Sequence, residues 1–470
     1  MKMKPIYFLF GFLIFVGCQT SPEEIKPVFV GGDIINPSNN YVVLYDTQNN
    51  TDTLYLNDEN RFFHHFTNFK PGIHSFVHGG KYQSILLEEN DSIMMHINTH
   101  DFDESIVYNG IGAKKNNYLI NLLLKLEKED RKTNAFYAKP PEKYHQNIEA
   151  FISKNTKDLE FFMTKNLNSE LFKKVALSSI KYHYFTRKEL YPFRHFGVHN
   201  FSNFKELPSD FYEFREEIVY NDIDLKDFYP YYNFLFPHIN NLALEQLTTA
   251  NPEFTLEDHQ LDYTSRKLEL IDSLVTNTMI KNNLLKYTTR NFISNSNSID
   301  QSYILYQSFL DKSTNEKDKK YIKDLFKNVQ GLQPGYPLPA IEVINHTNET
   351  VNINTIFDKT TVIYFWDNAS RYHFENSHIK VKTLQEKLLN IDFVAININS
   401  MHTYVWKNMI FGNQFKINNE YRFADPSYAK KRLAINYIKK VLIVDRNGVI
   451  LNATADLFDP EFEVSLKKYK

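Results

Sequence analysis

The chain has 470 residues, with 54 Lys and Arg against 56 Asp and Glu, and a formal net charge of −2. It is too long for one ordinary core and has room for two or three domains, and without a basic patch nucleic acid is not an expected partner. One cysteine, Cys18, excludes any internal disulfide, while 14 Gly beside 39 Phe and 30 Tyr argue for aromatic cores over disorder or a repeat solenoid.

At the start of the chain, Lys2 and Lys4 precede an apolar run from Ile6 to Val16, broken only by Gly11 and closed by Gly17-Cys18. A bilayer span needs about 20 apolar residues. Polar Gln19 to Glu24 follows at once, so residues 1–17 read as a secretory signal and 18–26 as a tether. The segment resembles a bacterial lipoprotein signal, with Phe15 where Leu is usual. That resemblance implies cleavage before Cys18 and lipidation, palmitate included, of its thiol and new amino group. Several acyl chains make such anchoring durable. Gln19 instead of Asp after the cysteine points to the outer membrane, on its periplasmic or surface face. An ordinary signal peptide with a chance cysteine is the alternative.

Residues 27–112 alternate as strands do. Val28-Phe29-Val30, Tyr41 to Tyr45, Thr53 to Leu56, Phe62-Phe63, Ser84 to Leu87 and Ile93 to Ile97 are separated by turn signals such as Asn49-Asn50, Pro71-Gly72 and Gly79-Gly80. The spacing predicts an antiparallel β-sandwich. Gly31-Gly32, a hairpin over Leu87–Ile93, and Asn109-Gly110-Ile111-Gly112 followed by Asn117-Tyr118-Leu119 carry a further likeness. On these the stretch resembles the β-domain that precedes thioredoxin-like domains in lipoproteins of some Gram-negative bacteria.

Residues 113–330 change period. Tyr118, Leu119, Leu122, Leu123 and Leu126, then Ile148, Phe151, Ile152, Leu159 and Phe162, return every three or four residues, which predicts a helical middle domain. Pro140-Pro141, Pro208, Pro230, Asn251-Pro252 and Gly331 to Pro334 mark helix ends or linkers. Asn315 to Lys320 reads as a solvated helix start.

Residues 335–470 alternate β and α: strands at Thr361–Trp366, Phe393–Ile398, Val441–Val444 and Val449–Leu451, a helix at Phe374–Leu389, and a terminal helix from Pro460 to Tyr469. The fold class is therefore multidomain α+β, with a β-sandwich, a helical domain and a C-terminal α/β domain. Gly335 to Pro339, Tyr364-Phe365-Trp366, Trp406, Phe423 to Pro426 and Leu442 to Gly448 carry a resemblance. On them the last third resembles a thioredoxin-like domain of the membrane-anchored thiol–disulfide oxidoreductase type.

The family's Cys-x-x-Cys motif is missing. Ser370 and His373 stand where the two cysteines would be, and Lys439 stands where the resemblance places a cis-proline. Dithiol exchange needs an attacking thiolate and a resolving thiol. A cis bond before a non-proline residue costs about 3–4 kcal/mol. Ser370 reads best as a helix cap accepting a backbone N–H, with His373 pointing outward; a Ser370/His373 catalytic pair with Asp367 nearby, or a ligand contact, are the alternatives. His64-His65, His74/His78, His96/His100 and His195/His199 have metal-like spacings, but each pair stands alone and reads as surface or turn histidines. No metal, cofactor or catalytic residue is assigned.

The expected function is a lipid-anchored cell-envelope protein, redox-inactive, with a binding or scaffold role. Its partners would be the membrane through Cys18 and a protein or peptide. An enzyme with a repurposed Ser370/His373 site, or a component of an envelope uptake or assembly complex, are the rivals.

Overall fold

The computed structural model describes residues 27–469 except 49, 167–168, 198–200, 369 and 400–402. The signal segment, Cys18, the tether and His199 lie outside the described residues. The chain divides into two compact units, one ending at Ile120, the other running from Asn121 onward and counting Gly80–Tyr82 with it.

Among the described residues, eight strands precede residue 112: β1 (Phe29–Ile35), β2 (Tyr41–Tyr45), β3 (Thr51–Tyr55), β4 (Arg61–His65), β5 (Gly72–His78), β6 (Lys81–Leu87), β7 (Ser92–Asn98) and β8 (Val107–Ile111). A short α1 (Phe102–Ser105) lies between the last two. They form two four-stranded sheets, β4-β1-β7-β8 and β3-β2-β5-β6. Two expectations change here. The pairing is not wholly antiparallel, because β1 runs parallel to β7. Leu87–Ile93 is not a paired hairpin either, since β6 and β7 belong to different sheets.

The glycine pair explains the first change. A Cβ on Gly32 would lie 2.4 Å from the Met95 carbonyl oxygen, so only glycine lets β7 come in alongside β1. Asp91 explains the second. It accepts the Glu88 N–H at 2.8 Å and pairs with Lys115 at 2.6 Å, which ties the turn to the helix that follows. On that helix, α2 (Ala113–Thr133), the Asn116 amide bonds both backbone groups of Leu86, and Asn117 does the same for Tyr108. These amides satisfy buried backbone groups at the strand ends.

Beyond α2 come α3 (Pro141–Lys165), α4 (Glu170–Phe196), α5 (Tyr229–Ala250), α6 (Gln260–Leu274), α7 (Thr278–Asn295), α8 (Ile299–Lys312) and α9 (Glu316–Gln330), with no strand among the described residues of 113–330. Ser169, Asn277, Ser298 and Asn315 cap α4, α7, α8 and α9 through their side chains. Asp318, in the stretch read as solvated, is buried and pairs with Lys286 at 2.8 Å. Pro192 and Pro237 sit inside helices rather than at ends. Aromatic side chains fill the interior, with Tyr144 and Tyr191 stacked at 3.9 Å.

The last sheet has seven strands. They are β9 (Glu342–Ile344), β10 (Thr350–Asn352), β11 (Thr361–Trp366), β12 (Asp392–Asn397), β13 (Glu420–Phe423), β14 (Lys440–Val444) and β15 (Ile450–Asp456), in the order β10-β9-β13-β12-β11-β14-β15. β11, β12 and β13 are parallel; β14 is antiparallel to β11 and β15 to β14. The helices α10 (Arg371–Lys387), α11 (Thr403–Gly412), α12 (Pro426–Arg432) and α13 (Phe462–Leu466) complete it. A parallel β11-α10-β12 crossover followed by an antiparallel pair and a closing helix is the arrangement of a thioredoxin-like fold. Trp366, Phe374, Trp406, Val441 and Ile443 build one buried cluster on one sheet face.

The helices and this sheet belong to one unit. Lys431 pairs with Asp324 at 2.9 Å, the Asn436 amide donates to Ser294 Oγ at 2.6 Å, and the Thr454 hydroxyl donates to Asn297 Oδ1. Among the described residues no helix is long and apolar enough to cross a membrane.

Candidate functional site

The strand β11 is buried along its whole length and delivers the chain to the start of α10, where Ser370 and His373 sit. Ser370 occupies the cap position, but its hydroxyl makes no capping hydrogen bond. Asp367 does the local work instead, accepting the Ser370 N–H at 2.8 Å.

His373 does not point outward, as the sequence suggested; it is buried. Its Nε2 lies 3.1 Å from the Phe365 carbonyl oxygen, and its ring meets Phe458 edge-on at 5.8 Å. The inward face of α10 carries His373, Phe374, Ser377 and His378 together, because helical residues three and four apart share a face. No hydrogen bond joins Ser370 to His373 among the described residues; the imidazole serves a backbone carbonyl. A serine nucleophile needs a base bonded to it, and Ser370 has none among the described residues. Lys439 is exposed, and all peptide bonds among the described residues are trans.

Two buried features here were not read from the sequence. The first is Lys440, next to Lys439 and 1 % exposed. Its Nζ donates to the Leu433 and Ala434 carbonyls at 3.0 and 3.2 Å, closing the C-terminal end of α12. Burial with no carboxylate partner pushes its ammonium down to about 7.

The second is a Glu420–His378–Trp366 cluster. Glu420 Oε1 lies 2.8 Å from His378 Nε2, and Oε2 accepts the Trp366 indole N–H at 3.2 Å. His378 Nδ1 donates to the Phe374 carbonyl at 2.7 Å. Nδ1 therefore carries a hydrogen, and one further proton lies between His378 Nε2 and Glu420 Oε1. Burial raises the Glu420 carboxyl above the usual range, and the bonds from His378 and Trp366 only partly offset it. His378 and Glu420, with Tyr364, line a cavity of about 580 Å³ whose walls include Lys359, Lys382 and Lys416. The α10 spacing Phe374, His378, Val381 signals an inward histidine; nothing in Asn419-Glu420-Tyr421 signals a buried acid.

The histidine pairs do not gather. His74 and His78 are buried rather than at the surface. His74 Nε2 lies 3.0 Å from the Lys70 carbonyl oxygen; His78 lies 2.9 Å from the Tyr41 carbonyl at Nδ1 and accepts the Ser38 N–H at Nε2. His64 faces Asp52 at 3.6 Å and His96 bonds Asp33 at 2.7 Å. His195 bonds the Tyr137 carbonyl and stacks on Tyr191. Among the described residues no group of three or more His, Cys, Asp or Glu is placed to hold a metal ion.

No protein-family model matches the chain, and no curated protein matches it by sequence. Solved structures do. The thioredoxin domain of a thiol-disulfide oxidoreductase from Bacteroides vulgatus aligns at 17% identity and TM-score 0.26, over 29% of this chain and 98% of that one. A thiol-disulfide oxidoreductase from Bacteroides fragilis aligns at 16% identity and TM-score 0.24, over 28% and 97%. A thioredoxin-like protein from Bacteroides caccae aligns at 10% identity and TM-score 0.34, over 45% and 78%. These likenesses carry no activity to this chain; the fold rests on the strand order of its own last sheet.

Proposed function

We propose that this protein is a lipid-anchored component of the cell envelope whose C-terminal domain keeps a thioredoxin-like fold for binding and not for dithiol exchange. One observation carries the reading. Where exchange would need two thiols, the chain has Ser370 and a His373 committed to the Phe365 carbonyl in the core. A fold can outlive its chemistry and serve through its surface. The cavity over His378 and Glu420 supports a binding role, because it offers polar groups in a domain without a thiol. In this reading the chain runs from the lipid on Cys18, at the outer membrane, through a β-sandwich domain (27–112) and a helical domain (113–330) to the thioredoxin-like domain (335–470).

Insulin reduction by the purified mature protein tests the redox part: no turnover is expected, and measurable turnover sinks it. Metabolic labelling with an alkyne palmitate tests the anchor. Label should appear on the wild type and vanish in Cys18→Ala; label that persists in the variant removes Cys18 as the attachment point.

A further inference from the structure

A second cavity, of about 910 Å³, lies among α4, α5, α6, α7 and the turn into α8. Its size is that of a small-molecule site. Its lining is unusual: many amide and hydroxyl side chains, three aromatic rings, one cation, and no carboxylate among the lining residues. The side chains of Asn233, Asn240, Gln260, Lys267 and Gln301 line it without any hydrogen bond or ion pair among the described residues. Neighbouring polar groups do find partners: Asn295 donates to the Asn291 carbonyl and Asn297 accepts from Thr454. The five residues with unspent capacity come from three helices, α5, α6 and α8; Asn233 and Gln260 are exposed, and Asn240, Lys267 and Gln301 are half-buried.

Each amide offers both a donor and an acceptor. That matches ligand groups that also do both at one atom, which is the property of a hydroxyl. Phe236 and Tyr287 pack on each other with ring centroids 4.0 Å apart and planes tilted by 31°, and both line the same cavity as an aromatic wall beside the amides. A sugar ring presents just this pairing, hydroxyls at its edge and C–H bonds on its face. An aliphatic side chain would want an aliphatic hole, and among the described lining residues only Leu190 and Pro237 are aliphatic.

Lys267 adds a sign. Its Nζ lies 4.3 Å over the Tyr263 ring and has no carboxylate to pair with. Burial alone pushes its ammonium down to about 8. An incoming carboxylate would supply the missing partner.

We propose that this cavity binds a short acidic saccharide, its carboxylate on Lys267, its hydroxyls on Asn233, Asn240, Gln260 and Gln301, and its C–H bonds against the aromatic wall of Phe236 and Tyr287. This inference does not rest on the missing thiols of the last domain or on the lipid.

Calorimetric titration of the mature protein with digalacturonic acid, cellobiose and an acidic tripeptide tests it. Digalacturonic acid should bind and cellobiose should bind more weakly. A charge-assisted hydrogen bond is worth roughly tenfold or more, so Lys267→Met should weaken digalacturonic acid by about that factor and leave cellobiose unchanged. Gln301→Ala, a milder change, should weaken both. Equal affinity for the two sugars, preference for the tripeptide, or no binding at about 10 mM overturns the proposal, since a millimolar limit is already very weak recognition. So does binding indifferent to both substitutions.

Discussion

Glu189 on α4 and Glu420 on β13 are both fully buried, and each bonds a buried histidine, yet their carboxyls are driven in opposite directions. Glu189 receives His238 Nδ1 at 2.7 Å, the Arg215 guanidinium at 2.8 and 3.0 Å, and the Asn241 amide. Burial alone would raise it; the bond from His238 and the charge of Arg215 outweigh burial and hold it below the usual carboxylate range. Glu420 receives His378 and Trp366 and has no guanidinium, so burial wins. A buried acid is thus kept ionised by a permanent cation and several donors, not by a histidine alone.

Removing that cation should have the largest effect. Arg215→Met leaves Glu189 buried beside His238 without its permanent charge, and breaking a buried pair this way costs about 3–5 kcal/mol. Urea unfolding at neutral pH reads it. A loss under about 1 kcal/mol would mean Arg215 does not govern Glu189, well short of a broken buried pair.

The opposite directions make a sharper test in pH. Glu189 has a folded value below its unfolded one, about 4.3 for a free Glu. Its stabilisation is present above that value and lost as pH falls through the folded one. Glu420 is raised, so its contribution is whole below about 4.3 and declines as pH rises through its folded value. Glu189→Gln should therefore cost more stability at pH 7 than at pH 4, and Glu420→Gln less. The same sign for both would break the comparison.

Lys440 extends the comparison to a cation with carbonyls only. Its folded value, about 7, lies below the roughly 10.4 of a free lysine, so stability should climb with pH between them and fall as pH drops through 7. Lys440→Met should flatten that rise, removing up to about 1.4 kcal/mol per pH unit. An unchanged slope would show that Lys440 stays charged when buried.

The smallest effect belongs to Ser370. A working cap costs about 1 kcal/mol when lost. Its hydroxyl caps nothing here, so Ser370→Ala should shift stability by less than about 0.5 kcal/mol in thermal melts.

What the sequence made legible follows from how local each signal is. Runs such as Thr361–Trp366 and the period of the α10 segment report their own burial and could be placed directly. Strand partners could not. The parallel β1–β7 pairing and the separation of β6 from β7 depend on residues far apart in sequence, and only Gly31-Gly32 hinted at a close neighbour. The site positions 370, 373 and 439 were found because apolar strands flank them. Their chemistry was misjudged at His373 because polarity suggested solvent, whereas a backbone carbonyl awaited it. Glu420, Glu189 and Lys440 were invisible for the same reason: a charged residue is buried only through partners the sequence does not adjoin.

The Thr454 hydroxyl bonded to Asn297 ties β15 to the lining of the helical cavity. Any occupant that shifts residues 295–298 must also pull on β15 or give up that bond. Linkage makes the effect mutual: a partner that grips the outer edge of the sheet would tune how tightly the cavity holds its guest, by the same factor in each direction.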